Sequence, residues 1–419
     1  MFTRNDKHAA CTGKASHEWP IWVAVCLAGM ALIAGCASTL TAPPDSPTKQ
    51  KGKTTQVDPT LSPQVSDARL QRVQKRLDKF CKANDIPGAT FGMVLADGSS
   101  MAPASGVSDR TAGRVMKPTD RMLSGSIGKT YVSAVMLQLV EEGRVDLSSK
   151  ISHWFGKDAW FPRLPNAYEL TLRMLMTHTS GIPRHIFTPE FQAAVKDQPQ
   201  KVWQSEELVA FVLDAEPLFP PGQGWSYADT NYILVGMIIE RVTGRTFYEE
   251  LADRILGPLE LVDTSPSDHP CLRGLINGYS VEGNPFSIPP EVAPNKCYAI
   301  NPQVEWTGGG LISTASDLAR WAWLLYGGDV LKDKTLGQLL DGVVIGNDPQ
   351  RKYGLGVMIR SSRRGPVCGH AGWMPGYVSL MAYYSDHRIA LAVQVNTEVG
   401  VGLPQLESLL DTAANELLR

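Results

Sequence analysis

Cysteine is scarce in this chain, with 7 in 419 residues, too thin a supply for a fold held together by a disulfide framework. No Cys-x-x-Cys pair or clustered Cys/His spacing occurs, which leaves structural zinc without ligands. Neither sign of charge is in excess. Forty Lys+Arg against 42 Asp+Glu give a formal net charge of -2, so the basic field that nucleic-acid binding draws on is missing. A membrane-spanning run is missing too: Ile21 to Ala34 holds fourteen uncharged residues, short of the about 20 that a spanning helix needs. His-Glu-x-x-His does not occur, and the Gly-x-Ser-x-Gly elbow fails at Ser124, which stands where the first glycine belongs. What remains is 43% hydrophobic, 20% charged and 8% aromatic. That composition suits one large or two modest globular domains and excludes a wholly disordered chain.

The short apolar run follows a polar segment carrying Arg4, Lys7 and Lys14, the layout of a secretory signal peptide. It ends in Ile33-Ala34-Gly35-Cys36, which resembles the bacterial lipobox, where a small residue precedes a cysteine that is lipidated and becomes the mature N-terminus. The expectation is a signal peptide over 1–35, a lipid on Cys36, and attachment to the membrane of a bacterial cell envelope. Ala37 stands where an inner-membrane retention signal usually places Asp, which favours the outer membrane, facing the periplasm. Residues 36–65 are rich in Pro, Thr, Ser and Lys and nearly devoid of large apolar side chains. Such a stretch cannot offset its own ordering entropy and reads as a tether.

Residues 66–419 form the body, without an internal repeat or a second linker. Ser66 is placed to cap a helix carrying Leu70, Val73, Leu77 and Phe80 on one face. Ala89 to Leu95 reads as a strand and Asp97-Gly98 as its hairpin turn. Near the other end Tyr377 to Tyr384 and Ile389 to Val395 are β-rich, followed by a helix with Leu406, Leu409, Leu410, Ala413 and Leu417. Helical segments at Ile127 to Glu142 and Asn231 to Val242 lie between. The expected fold class is α/β in the α+β sense: an antiparallel sheet flanked by terminal helices (66–125 and 300–419) with an inserted, mostly helical lobe (126–299).

Ser126-Ile127-Gly128-Lys129 opens an apolar helical segment. Three residues are nearly one helical turn, so the lysine amine lies over the serine hydroxyl. Free backbone N–H groups at a helix start can stabilise a developing oxyanion, and a desolvated, neutral lysine could accept the serine proton. Alone, the pair is also readable as an N-cap serine with a surface lysine. Two further segments bear on it: Tyr227-Ala228-Asp229 just before a helix, and His370-Ala371-Gly372-Trp373 just before the terminal strands.

With these three elements in this order the chain resembles the penicillin-recognising serine hydrolases, which include class C β-lactamases, penicillin-binding D-alanyl-D-alanine carboxypeptidases and their esterase relatives. The resemblance runs from about Ile86 to Asn396, and Glu142-Gly143-Arg144-Val145-Asp146-Leu147, Leu175 to Gly181 and Gly308 to Thr314 resemble the family as well. It implies that Ser126 is the nucleophile, Lys129 its proton-transfer partner and Tyr227 a second acid/base whose phenol the lysine lowers in pKa. It implies an oxyanion site made of the Ser126 and Trp373 amides, with Asp229, His370 and Gly372 binding substrate beside them. The reaction would be hydrolysis of a small ester, amide or peptide through an acyl-serine, with no cofactor and no metal.

Two departures shape the expectation. The family's Asn is Asp229 here, a carboxylate that, when ionised, only accepts hydrogen bonds; it would hold Lys129 charged and shift weight to Tyr227 as base. Ala371 stands where β-lactamases and transpeptidases usually carry Thr, whose hydroxyl helps hold a substrate carboxylate. Neutral esters or amides therefore gain over penicillins and D-Ala-D-Ala peptides, leaving a carboxypeptidase or β-lactamase as the alternative. A non-catalytic relative that binds peptidoglycan or a partner protein is the rival from another class; it has no need of Ser126, Lys129, Tyr227 and His370 together.

Thr177-His178-Thr179-Ser180-Gly181 reads as a hydrogen-bonded turn supporting the site, and His185 as no metal partner for it. Trp373 and Tyr377 are candidates for either pocket lining or core, while Trp321 and Trp323 read as helix packing. Of the cysteines beyond Cys36, Cys271 and Cys297 bracket a loop-rich stretch and form the favoured bridge; Cys368 reads as a buried small residue.

Overall fold

The computed structural model describes residues 63–418, with side chains from residue 68 onward. The expected signal peptide, Cys36 and most of the tether lie outside the described residues. The first helix, α1 (Pro63–Ala83), begins three residues before Ser66, so Ser66 lies inside the helix instead of capping it. Pro63 accounts for the earlier start, because proline at the first helical position has a preset φ and no N–H to leave unpaired.

β1 (Gly88–Val94) follows, and after the turn at Gly98 (φ +83°) comes β2 (Ala104–Asp109). From the far end of the chain come β3 (Met358–Ser362), β4 (Gly365–Met374), β5 (Tyr377–Tyr384) and β6 (Ile389–Val395). These strands assemble in the order β2-β1-β6-β5-β4-β3, antiparallel throughout. β1 and β6 pair from Ala89↔Val395 to Val94↔Ala390, so the two ends of the body meet at the centre of one sheet. β5 and β6 are buried at every position, as expected of central strands covered on both faces.

One face carries α1 and the closing helix α5 (Leu403–Leu417). Val73, Leu77, Leu406 and Leu410 pack there against Phe91, Leu391 and Val393. The other face carries the helical body: α2 (Gly128–Glu141), α3 (Asp229–Thr243) and α4 (Ala315–Gly327). α3 stops at Gly244, which takes the left-handed conformation (φ +72°) that favours glycine. The mixed fold with an antiparallel sheet between two helical layers is the expected one. Cys271 and Cys297 form a disulfide, whereas Cys81 and Cys368 are buried and unpaired. Trp321 is core: its indole stacks on Tyr131 at 4.2 Å and donates to Thr130 Oγ1.

Candidate active site

Ser126 lies in a single 3-10 turn, Gly125–Ile127, that runs directly into α2. The turn is pressed against β4: a Cβ on Gly125 (φ +52°) would sit 2.5 Å from the Trp373 carbonyl oxygen and 2.6 Å from its nitrogen. Only glycine fits that backbone and that gap. Gly372 is constrained in the same way, since the Ser124 carbonyl occupies the place of any side chain there. β3 pairs with β4 only from Gly365 to Gly369, so His370 to Met374 run on past its end. The Ser126 turn and this stretch of strand together border a cavity of about 370 Å³, lined also by Arg184, Trp225, Tyr227, Asp229, Glu305 and Trp373.

Lys129, in the first turn of α2, is fully buried. Its Nζ donates to Ser126 Oγ (3.0 Å), to Asp229 Oδ1 (2.7 Å) and to the Gly308 carbonyl. Asp229 opens α3 and is shared between two cations, because Arg184 donates to its other oxygen through Nε (3.0 Å) and Nη2 (2.8 Å). Burial works against the Asp229 charge, but Arg184 and Lys129 outweigh it and hold the carboxyl well below the usual carboxylate range. Burial likewise pulls Lys129 down, and the surrounding negative charge, Asp229 first and Glu305 after it, more than reverses this, leaving the amine above its ordinary value. The lysine therefore stays charged at neutral pH.

Tyr227 presents its ring 4.9 Å from Lys129 Nζ and 5.1 Å from the Arg184 guanidinium. Its buried phenol oxygen has no well-formed hydrogen bond among the described residues. The expected lowering of this phenol by the lysine is corrected: burial is the largest influence, Lys129 offsets only part of it, and the pKa lies above that of a free tyrosine. The resting side chain is a neutral phenol.

His370 is buried by the cavity, and both its nitrogens are spent within the protein. His178 Nδ1 accepts from the Ala228 amide (3.3 Å) and Asn231 Nδ2 (3.0 Å), so its proton is on Nε2 and points at Tyr353 Oη (3.2 Å). Tyr353 in turn donates to His370 Nε2 (2.9 Å), and His370 Nδ1–H to the Ala371 carbonyl (2.5 Å). Burial pushes His370 down to about 3, so it is neutral. With both nitrogens engaged the ring holds β4 in place, and it lines the cavity beside Ser126. His178 supports the site from a left-handed turn (φ +59°). His185 bonds Thr230 Oγ1 (3.0 Å), and no group of metal-ligating residues occurs among the described residues. Trp373 lines the cavity with its indole donating to Glu398 Oε2. Tyr377 is core, its hydroxyl donating to the Ile276 carbonyl (2.6 Å).

Arg184, Glu305, Trp225 and Tyr353 belong to the site and carry no sequence motif. Their only signal is charge or an aromatic ring inside an otherwise apolar or glycine-rich stretch, as in Glu305-Trp306-Thr307-Gly308-Gly309-Gly310.

Residues 72–415 match the family model described as Beta-lactamase. Among characterised proteins the chain is 26% identical to penicillin-binding protein 4* of Bacillus subtilis over 305 residues, which covers 70% of this chain and 64% of that protein. It is 25% identical to the D-aminopeptidase of Brucella anthropi over 320 residues, 75% of this chain and 57% of that one. Among solved structures, a D-stereospecific amidohydrolase from Streptomyces superposes with a TM-score of 0.71 at 29% identity, covering 82% of this chain and 98% of the other.

Proposed function

Because the chain belongs to the Beta-lactamase family, whose relatives include hydrolases, we propose that it cleaves an ester or amide through an acyl-serine on Ser126. The observation that carries the reading is the 3.0 Å contact of Lys129 Nζ with Ser126 Oγ, in a buried amine fixed on its far side by Asp229 and Gly308. A surface lysine beside a helix cap has no such enclosure.

A charged Lys129 cannot take the serine proton, and a neutral Tyr227 is a poor resting base. The two work as a relay. Ser126 Oγ bonds to the substrate carbonyl carbon while its proton passes to Tyr227 Oη, and the phenol proton passes to the leaving oxygen or nitrogen as that bond breaks. No free phenolate accumulates, and the Lys129 charge stabilises the negative charge that the phenol oxygen carries in passing. The amides of Ser126 and Trp373, brought together by Gly125, are the donors for the tetrahedral oxyanion. Water then attacks the acyl-serine, its proton returning through Tyr227 to Ser126.

Esters and amides without a free carboxylate suit this site better than penicillins or D-Ala-D-Ala peptides. Ala371 supplies no hydroxyl, and the Arg184 side chain in the cleft is engaged by Asp229. The test treats the protein and a Ser126→Ala variant with a fluorophosphonate, a fluorescent penicillin and short-chain nitrophenyl esters. Fluorophosphonate labelling and ester turnover lost in the variant are the expected results. Penicillin labelling of comparable rate would return the cell-wall reading, and no reaction at all would favour a binding module.

A further inference from the structure

One carboxyl group at the site, whose charge helps to keep Lys129 protonated, is given no proton transfer and no substrate contact in this scheme. Glu305 lies in a 3-10 segment, Pro302–Gly308, and borders the same cavity as Ser126, Tyr227 and Asp229. It also borders a small hollow lined by Ile186, Phe191, Phe286 and Trp373. Its Oε2 lies 3.6 Å from where a Cβ would stand on Gly308, a point that is 3.7 Å from Asp229 Cβ. The Gly308 carbonyl is the one that receives Lys129 Nζ. Glu305 is therefore linked to the nucleophile by way of Gly308 and Lys129. Both nearby cations hydrogen-bond Asp229, and among the described residues no hydrogen bond or ion pair of Glu305 joins them.

A carboxylate in a largely apolar wall without a partner is costly. Glu305 nevertheless precedes a strained residue: Trp306 is held at φ +35°, ψ -118°, a conformation that is unfavourable for a non-glycine residue and collects at functional sites. Without Glu305, the Lys129, Arg184 and Asp229 side chains sum to one positive charge; with it ionised, they sum to zero. An incoming cation would find in Glu305 an acceptor that is not taken by a protein donor among the described residues.

Resting on the acyl-serine reading, we propose that Glu305 is a specificity-determining residue that holds the primary ammonium of the acyl group, so that the preferred substrates are α-amino acid amides and esters with a free amine. The ammonium forms a charge-assisted hydrogen bond with the Glu305 carboxylate while the neighbouring carbonyl faces Ser126. A carboxylate anchor, which Ala371 does not supply, is then unnecessary: the cleft grips the amine end of the acyl group instead.

The proposal also sets a pH profile. Burial and the Asp229 charge push the Glu305 carboxyl up to about 7, against the opposing pull of Lys129 and Arg184, and a free α-amine loses its proton at about 7.7–8.0. Because kcat/KM reports free enzyme and free substrate, turnover of amine substrates rises with pH through about 7 and falls as the amine deprotonates.

The experiment compares kcat/KM for alanine p-nitroanilide, as both enantiomers, with its N-acetyl and propionyl analogues, using the wild type, Glu305→Gln and Glu305→Asp. A charge-assisted contact is worth about 10- to 100-fold. The wild type should favour the better free-amine enantiomer by about that factor, Glu305→Gln should bring the ratio close to one, and Glu305→Asp should keep part of it. All three proteins should still be labelled at Ser126 by the fluorophosphonate, and the readout is the ratio of free-amine to N-acetyl substrate within each protein, in which a general change in nucleophile reactivity cancels. An undiminished preference in Glu305→Gln, or none in a wild type that labels normally, would overturn the proposal. Failure of the wild type to label sinks the acyl-serine reading instead, and the amine contact is then read by calorimetry on Ser126→Ala. There alaninamide should bind more tightly than propionamide, and the added Glu305→Gln change should abolish the difference; equal binding of the two amides would overturn the proposal.

Discussion

At the scale of single residues the site turns on Asp229, which converts Lys129 from a possible base into a fixed charge. Both partners are buried, so breaking the pair leaves two cations, Lys129 and Arg184, without their shared anion. Asp229→Asn should therefore lower the unfolding free energy by about 3 kcal/mol at neutral pH, toward the low end for disrupting a buried ion pair because the amide oxygen still accepts a hydrogen bond. The folded-state pKa of Asp229 is depressed, so its contribution is present above the unfolded value of about 3.9 and is lost as pH falls below it. Urea unfolding of both proteins should show a gap constant from pH 7 to about 5 that narrows on acidification. A gap that stays unchanged down to pH 3 would contradict the assignment. The residues of this centre were unequally legible. Ser126, Lys129, Tyr227 and Asp229 sit in short motifs because each chemical step needs neighbours along one turn or strand. Arg184 and Glu305 reach the same cavity from separate loops, and nothing local in the sequence records that convergence. The Tyr227 expectation failed for a related reason, since one attractive neighbour is visible in sequence and complete burial is not.

At the scale of elements, the decisive contact is between the Gly125–Ile127 turn and β4. β5, β6 and the body of α3 follow from apolar runs and turn residues, and the structure places β5 and β6 where those runs predict, while α3 begins two residues before the expected Asn231. β4 carries a weaker strand signal, because its central Gly369, Ala371 and Gly372 have low β propensity. Its conformation comes from eight register pairs with β5, Val367↔Tyr384 through Met374↔Tyr377. Gly372 serves another purpose: it lets the Ser126 turn approach the strand backbone. Gly125→Ala should push that turn off Trp373 and separate the two oxyanion donors, and a misplacement of about 1 Å at a reacting centre can cost 10²-fold in rate. The expected outcome is a loss of about 10²-fold in kcat for a nitrophenyl ester with a smaller effect on KM. Wild-type kcat in a folded Gly125→Ala protein would remove the role given to this contact.

At the scale of the whole molecule, the sheet that unites the chain ends is rigid, whereas one wall of the cavity is not part of it. Val281, Asn284 and Pro285 line the cavity from the segment between Cys271 and Cys297, which contains no named helix or strand. The segment is held at its ends by the disulfide and along its length by side chains: Asn284 accepts from the amides of Phe286 and Ile288 and Ser280 donates to Glu398, while just beyond it Tyr298 donates to the Pro375 carbonyl (2.8 Å). A bridge spanning 26 residues removes unfolded-state entropy worth about 3–4 kcal/mol in the chain-entropy estimate, and the export expected from the N-terminal stretch would keep it oxidised. None of the proposed reacting groups lies within the segment, so opening the bridge should loosen the substrate wall while leaving the chemistry in place. The Cys271→Ser/Cys297→Ser protein should unfold at lower urea by about that free energy. It should also show a KM raised several-fold with kcat little changed, because binding contacts shared by ground and transition state move KM alone. Fluorophosphonate labelling at the wild-type rate would confirm that the nucleophile is untouched. A fall in kcat with KM unchanged would instead mean that the segment positions the reacting groups, and that the bridge belongs to the catalytic geometry as well as to the wall.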